Sequence, residues 1–492
     1  MNYFSKLNRR QFLSLTASTT GAILLSQCSR DLKREQLQAL PTAHSSRDGL
    51  LELDLQASYR QVNLGGKSAS LLTYNGQIPG PRLEAKPGDK VRIRFTNKLV
   101  QPTNLHYHGL HVSPTGNADN IFLSLPSGES FTYEFAIPQN HPGGIFYYHP
   151  HLHEFVAEQV FGGLGGPFII RGELDEIPEI KAAKDVLLFL KDFAVDASKN
   201  IQQSWHMAQM LGREGPLITV NGQVNPTISL PQGGILRLRL LNASSSRFYR
   251  LALEDHPLYL IATDGNSLAE PVELRELLLV PGQRAEILVR GEREPNRYRL
   301  LSLPYNRGGM GMMGHGMMGR GMMGGGMMEQ ADEASPIILA TLTYSGKVST
   351  LPLPKQLIVP EALPESKRVR RFTLNHSMAP GGGMVFLING KPYNHDTAQA
   401  DIQVRLNDVE DWEIINTGVM DHPMHLHTNP FQVIARNGQP EPYRMWRDTI
   451  LVPAGETVRL RVRFADFTGK TAYHCHILDH EDLGMMGTLA IT

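Results

Sequence analysis

Tyr74-Asn75-Gly76-Gln77, followed by Pro79 and then by KPGDKVRIRFTN (86–97), is written three times along this chain. Val220-Asn221-Gly222-Gln223 leads to Pro226 and to LPQGGILRLRLLN (230–242). Ile388-Asn389-Gly390-Lys391 leads to Pro392 and to LNDVEDWEIIN (406–416). A second phrase recurs in the same order: LPSGESFTYEF (125–135), VPGQRAEILV (280–289) and VPAGETVRLRV (452–462). Two phrases repeating in order at domain-sized intervals predict three copies of one domain. Each phrase reads as a turn and then an alternating strand; VRIRF, LRLRL and VRLRVRF put arginines on one face and aliphatics on the other. Long helical periodicity is nearly absent, apart from QQSWHMAQMLGRE (202–214), which reads as a short helix. Short strands separated by Gly/Pro turns predict an all-β fold of consecutive Greek-key sandwiches.

Length agrees, since 492 residues make about three domains at ~150 residues each. The expected divisions are 49–173, 174–350 and 368–492. The polar run GELDEIPEIKAAKD (172–185) marks the first boundary, and a proline-rich link, 351–367, precedes the last domain. Residues 308–328, GGMGMMGHGMMGRGMMGGGMM, cannot pack a sandwich core and read as a flexible insertion in the second domain. Lys plus Arg equal Asp plus Glu at 48 each, so no charge field points to nucleic acid as a partner. The only cysteines are Cys28 and Cys475, which excludes a disulfide framework.

The N-terminus, NRRQFLSLTASTTGAILLSQC (8–28), has a basic start and an apolar stretch of signal length. Arg9-Arg10 before Gln11-Phe12-Leu13 resembles a twin-arginine export signal over 1–28, which implies a periplasmic or other extracytoplasmic location. Leu25-Ser26-Gln27-Cys28 faintly resembles a lipoprotein cleavage site, with Cys28 as a membrane tether. Residues 29–48, which include His44, are polar and expected to be a flexible tether.

Ten of the nineteen histidines fall in four motifs: His106-Tyr107-His108, His149-Pro150-His151, His422-Pro423-Met424-His425-Leu426-His427, and His474-Cys475-His476 with His480. Residues two apart in a strand share a side. Each His-x-His pair therefore presents two imidazoles to one cavity, and the four pairs supply eight. Two motifs lie in the first copy and two in the third, so an interface between those copies gathers all eight. In HCHILDHEDLGMM (474–486), His474 and His476 face one way and Cys475 the other. Cys475 is then free to join His422, His480 and Met485, a His₂Cys-plus-methionine set that suits copper. One such pair is more often surface or core than metal. Zinc also takes His and Cys, but has little use for an axial methionine or an eight-imidazole cluster.

The four motifs in this order resemble the multicopper oxidases, the family of laccases and cuprous oxidases, over nearly all of the chain after residue 50. The resemblance implies three cupredoxin-like domains and four copper ions, one type 1, one type 2 and two type 3. It implies that His422, Cys475, His480 and Met485 hold the type 1 copper, and His106 and His425 the type 2. His108, His149 and His476 would hold one type 3 copper, and His151, His427 and His474 the other. Electrons from a reductant would enter at type 1 and pass through Cys475 to a trinuclear cluster that reduces O₂ to water. Glu481, beside His480, and Asp119, eleven residues after His108, match acids that the family links to proton delivery, although the loop before Asp119 is longer here. The ordinary alternative for both is a solvated carboxylate. The remaining histidines, among them His111, His141 and His153, are expected to be structural or exposed.

Thioether suits Cu(I). Met310, Met312, Met313, Met317, Met318, Met322, Met323, Met327 and Met328 therefore resemble the methionine-rich insertions of cuprous oxidases used in copper tolerance; the bland alternative is a linker or an oxidation target. Met420 and Asp421 precede His422 but do not clearly match the family's Cu(I) ligand spacing, and Met207 and Met210 read as core. The expected activity is oxidation of Cu(I), and of phenols and aromatic amines, by O₂. The alternative is a laccase with organic reductants. A non-enzymatic, cell-division type is disfavoured, because such relatives have lost copper ligands and this chain has the full set. One chain supplies that set, so a monomer suffices.

Overall fold

The structure, a computed structural model, describes residues 43–202, 210–308, 335–379, 382–395 and 399–492. Its strands form six sheets in three pairs. In each pair the two recurring phrases lie side by side. Strand Lys90–Asn97 runs antiparallel to Ser130–Ala136, Ile235–Asn242 to Arg284–Arg290, and Val409–Asn416 to Thr457–Arg463. Each first-phrase strand also has a parallel partner on its other side: Leu50–Leu64, Lys184–Phe193 and Arg368–Met378. The repeated dipeptide makes the same turn each time, with positive φ at Asn75 and Gly76, Asn221 and Gly222, and Asn389 and Gly390. Positive φ at both central residues is what a type I′ hairpin turn requires, and Asn-Gly tolerates it best. The asparagine also takes an N–H from the adjoining strand: Gln56 N (2.7 Å), Phe189 N (2.8 Å) and Thr373 N (2.8 Å).

Each sandwich has its own apolar core, typified by Ile93 and Phe95, by Leu238 and Ile287, and by Trp412 and Leu460. The expected alternation holds in Lys90–Asn97, where outward arginines are partly exposed. It fails in Ile235–Asn242, where every residue is buried. The reason is a charge network. Arg237 and Arg239 meet Glu286 at 2.7 and 3.0 Å, and both reach Asp175, in the turn Glu173–Glu176 that joins the first two domains. Buried guanidiniums persist because carboxylates meet them.

Two other expectations change. Part of the presumed tether is ordered: Ala43–Ser45 is a strand parallel to Arg82–Ala85, and Ser46 donates to Asp89. An unpaired sheet edge offers hydrogen bonds that even a polar segment takes up. The link 351–367 lies against the second domain through Leu351 N to Gly233 O and Leu357 N to Ala269 O. Glu361 pairs with Arg463 of the third. The export signal, Cys28, His206 and Met207, and residues 309–334 with all nine clustered methionines lie outside the described residues. No described helix is long and apolar enough to cross a membrane.

Lys191 is an oddity of the second core. It is 1% exposed, and its ammonium donates to Ala243 O at 3.0 Å. Burial pulls it down from 10.5 to about 7. The native state therefore binds fewer protons than the unfolded chain across that window, and stability rises with pH through it. Lys191→Met removes this slope and stabilises the protein at pH 7 and below, as urea denaturation across pH 6–10 will show.

Candidate metal centres

Strand His106–His108 pairs with Gly144–His149, and His422–Leu426 pairs with Gly469–Cys475. These edges of the first and third domains face each other and bring eight buried imidazoles into contact. His151 Nε2 and His427 Nε2 each lie 3.0 Å from His474 Nε2. His476 Nε2 lies 3.2 Å from His108 Nδ1. His106 groups with His425 and His427 on one side, and with His108 and His149 on the other.

The hydrogen bonds fix which nitrogen is bare. His106 Nδ1–H donates to Asp119 at 2.9 Å, His149 Nδ1–H to Pro150 O at 2.9 Å, His425 Nδ1–H to Asp448 O at 2.8 Å, and His474 Nδ1–H to Cys475 O at 2.9 Å. Each leaves Nε2 without a proton, and the Nε2 atoms of His106, His149 and His425 are buried with no partner. His108 is reversed: its Nε2–H donates to Asp448 Oδ1 at 3.0 Å and its Nδ1 points inward. Burial, then the neighbouring imidazoles, lowers the basicity of His106, His149, His427 and His476 well below the usual value; His151 falls to about 4. Neutral imidazoles with bare, converging nitrogens and outward N–H groups held by acceptors are the donor set of a metal site.

The alternation at 474–476 separates the second site. Cys475 Sγ lies 3.6 Å from His422 Nδ1 and 3.9 Å from His480 Nδ1, and those two nitrogens are 3.3 Å apart. His480 Nε2–H donates to Met210 O at 3.1 Å, which bares Nδ1. Met485 is fully buried in the same core, accepts from Cys475 N at 3.0 Å and donates to His480 O at 2.8 Å through its backbone. Burial lowers His422 to about 3 and raises the Cys475 thiol far above its ordinary range. A thiol that dry ionises only for a metal.

Both predicted acids touch the eight-imidazole set and neither is solvated. Asp119 binds His106 and accepts from Tyr107 N at 2.9 Å; burial raises it to about 7. Glu481 is fully buried, with Oε2 3.1 Å from His474 Nδ1 and Oε1 3.6 Å from His151 Nδ1. Burial alone would raise it, but His151 and His474 outweigh that and bring it to about 2. Neither of its oxygens accepts a well-directed hydrogen bond.

Among the described residues, His111 and His141 are held by hydrogen bonds away from both sets. His111 binds Thr428 O at 2.6 Å and Asp466 at 2.8 Å, and His141 accepts from His111 N at 3.1 Å. Asp421 is engaged too: it accepts from Tyr305 OH (2.7 Å) and Ala454 N (2.9 Å). Sequence reasoning missed Asp448, Arg284 and Asp479. Burial pushes the Asp448 carboxyl up, but the Arg284 guanidinium and His108 hold it well below the usual range. Asp479, next to His480, takes Arg213 at 2.7 Å.

His480 and Ile477 reach a surface cavity of about 780 Å³, whose wall includes Phe248, Tyr305, Met420 and Asp421. Gly308 and Ser335, which flank the undescribed insertion, line the same cavity, and Gly308 bridges to Met420.

Three paired sheets, a thiol–imidazole site beside a cavity and an eight-imidazole cluster between the outer domains define a three-domain, cupredoxin-like copper oxidase. Multicopper oxidase family models match residues 56–175, 184–313 and 360–492. A multicopper oxidase of Campylobacter jejuni, described as a metallo-oxidase, is 32% identical with a TM-score of 0.80, over 93% of this chain and 95% of that one. Multicopper oxidase mco of Staphylococcus haemolyticus is 29% identical over 86% of this chain and 84% of its own. The cell division protein FtsP of Yersinia pestis is 28% identical over 98% of each. The chain belongs to the multicopper oxidases and is an oxidoreductase.

Gly282 lies against the His476 ring, where a Cβ would stand 2.7 Å from Nε2, and its φ is +78°. Gly282→Ala should displace His476 and lower copper held by the imidazole cluster. The blue absorption of the Cys475 site should persist; copper per chain and the visible spectrum together check this.

Proposed function

We propose that this multicopper oxidase couples oxidation of Cu(I), and secondarily of phenols and aromatic amines, to reduction of O₂ to water, in copper tolerance. The residues fit four coppers, distributed as the family resemblance implies. When bound, copper supplies one-electron acceptance at His422, Cys475, His480 and Met485, and four-electron O₂ reduction at the eight imidazoles. The protein's part is placement and proton handling. The cavity wall brings a reductant to His480 while the rest of that imidazole stays buried. Cys475 is bonded through the main chain to His474 and His476, so one short covalent path joins the two sites. Glu481 sits ionised between His151 and His474, and Asp119 under His106 is poised near neutrality. Both are suited to pass protons into a cavity that excludes bulk water.

The observation that carries the Cu(I) reading is that Gly308, where the methionine-rich insertion begins, and Ser335, seven residues past its end, both line the cavity that reaches His480. The description of the Campylobacter relative as a metallo-oxidase agrees with it. Asp421 is engaged by Tyr305 and Ala454, so we assign metal capture to the thioethers and not to this carboxylate. A laccase with organic reductants is the second reading; the stacked Phe248–Tyr305 wall of the cavity (5.4 Å, 8°) favours it. The full set of ten histidines and Cys475 argues against a division-type role. The twin-arginine signal leads us to propose an exported enzyme, and the complete ligand set in one chain a monomeric one.

Oxygen uptake by the copper-loaded protein, with chelated Cu(I) or dimethoxyphenol as reductant, tests this. Deleting 309–328 should lower Cu(I) turnover about tenfold or more while sparing or raising phenol turnover. Equal changes in both, or no change with Cu(I), would favour the laccase.

A further inference from the structure

We infer that the second domain, which gives no histidine to either site, carries a positioning residue for the imidazole cluster. Arg284, acting through Asp448, holds His108 in its reversed orientation.

The four other cluster imidazoles whose N–H acceptors are described above donate through Nδ1: His149, His425 and His474 to main-chain carbonyls and His106 to Asp119. A carbonyl fixed by the fold cannot turn away. Of these five cluster imidazoles His108 alone donates through Nε2, as His480 does at the thiol site, and its chief acceptor is a side chain, Asp448. The terminal torsion of histidine is broad and roughly two-fold, so a half-turn exchanges ring edges. The acceptor at Nε2 must therefore select the edge, and must itself be held.

Arg284 holds it. Its Nη1 donates to Asp448 Oδ1 at 2.8 Å and its Nη2 to Oδ2 at 2.5 Å, a fork that fixes the carboxylate plane. Thr449 Oγ1–H adds a bond to Oδ1 at 2.9 Å. Arg284 is itself pinned by Ile145 O of the first domain (3.2 Å) and Gly282 O of its own (3.1 Å). Its backbone N–H donates to Asp264, which also accepts from Asp448 N and Thr449 N at 3.3 Å each. Three domains thus meet on one guanidinium that is fully buried. Gly109 follows His108 with φ +87°, and a Cβ there would overlap both the Arg284 fork and the Asp448 carboxylate. Carboxylates only accept, so the proton lies on His108 Nε2 and the bare nitrogen, Nδ1, faces His476.

The inference rests on the imidazole cluster being a copper site. Removing Arg284 alone strands a buried charge and invites misfolding. The decisive comparison is therefore between two double variants that both delete the charge pair. Arg284→Met/Asp448→Asn keeps the side-chain oxygen that accepts from His108 Nε2–H; Arg284→Met/Asp448→Leu removes it and leaves only Thr449 Oγ1, 3.2 Å from Nε2. Each full chain is loaded with cupric ion and dialysed against graded chelator. Copper per chain is measured by mass spectrometry, and the blue absorption of the Cys475 site reports correct folding. We expect the Asn variant, whose acceptor the Arg284 fork no longer holds, to release its cluster copper at lower chelator than the wild-type chain. The Leu variant should release it at about tenfold or more lower chelator, with the blue band intact in both. If the Asn variant matches the wild type, or the two variants release copper alike, Arg284 and Asp448 are a structural tie and the inference falls. If the wild-type chain binds no copper beyond the blue site, the copper reading of the cluster falls instead.

Discussion

Eight buried imidazoles pressed together are the constraint on which this molecule depends. In seven of them burial penalises the cation, and most of the eight commit an N–H to an acceptor on the outer side. Lone pairs therefore face lone pairs. The Nε2 atoms of His106, His149 and His425 have no partner, and a buried polar atom left so costs about 1–3 kcal/mol. Metal binding offsets that penalty. Because the two halves of the cluster come from different domains, it also couples loading to docking of the first domain on the third.

The second domain makes this arrangement durable. It meets the turn that joins it to the first domain through Arg237 and Arg239, which reach Asp175, and the helix that carries His480 through Arg213 and Asp479. It touches the cluster itself through Gly282 and Arg284. All three contacts use guanidinium–carboxylate pairs with little exposure. Such pairs add little net stability over apolar packing but tolerate only one geometry. A site assembled from two domains needs that kind of tie, since apolar contact alone allows sliding by a fraction of an ångström.

Much of this was legible in the sequence. The Asn-Gly turn forces positive φ at two residues, so three copies of it announce three copies of one hairpin. His-x-His announces itself because strand periodicity puts both rings on one side, and Cys475 between two such rings must serve a different site. The acceptors were less legible. Asp448 and Arg284 are separated by 164 residues and carry no spacing signal; each reads as an ordinary charge on an alternating strand. The buried arginines of Ile235–Asn242 misled for the same reason, because the sequence pattern of a covered polar face equals that of a solvated one.

The two metal sites differ in what their surroundings allow. The thiol–imidazole site lies directly beneath a surface cavity whose lining includes Phe248 and Tyr305, with the buried His480 behind it. The imidazole cluster is enclosed, and three buried carboxylates touch it: Asp448, Asp119 and Glu481, the last two of opposite character. Glu481 is ionised by two adjacent rings, whereas burial leaves Asp119 close to neutrality. Electron entry requires contact with a reductant, so the first site must meet the surface. Reduction of O₂ requires that protons arrive in step and that partly reduced oxygen does not leave, so the second must not. One strand reconciles the two demands. Between His474 and His476 the chain turns Cys475 to the opposite side, and the separation of the sites becomes the thickness of a single β-strand.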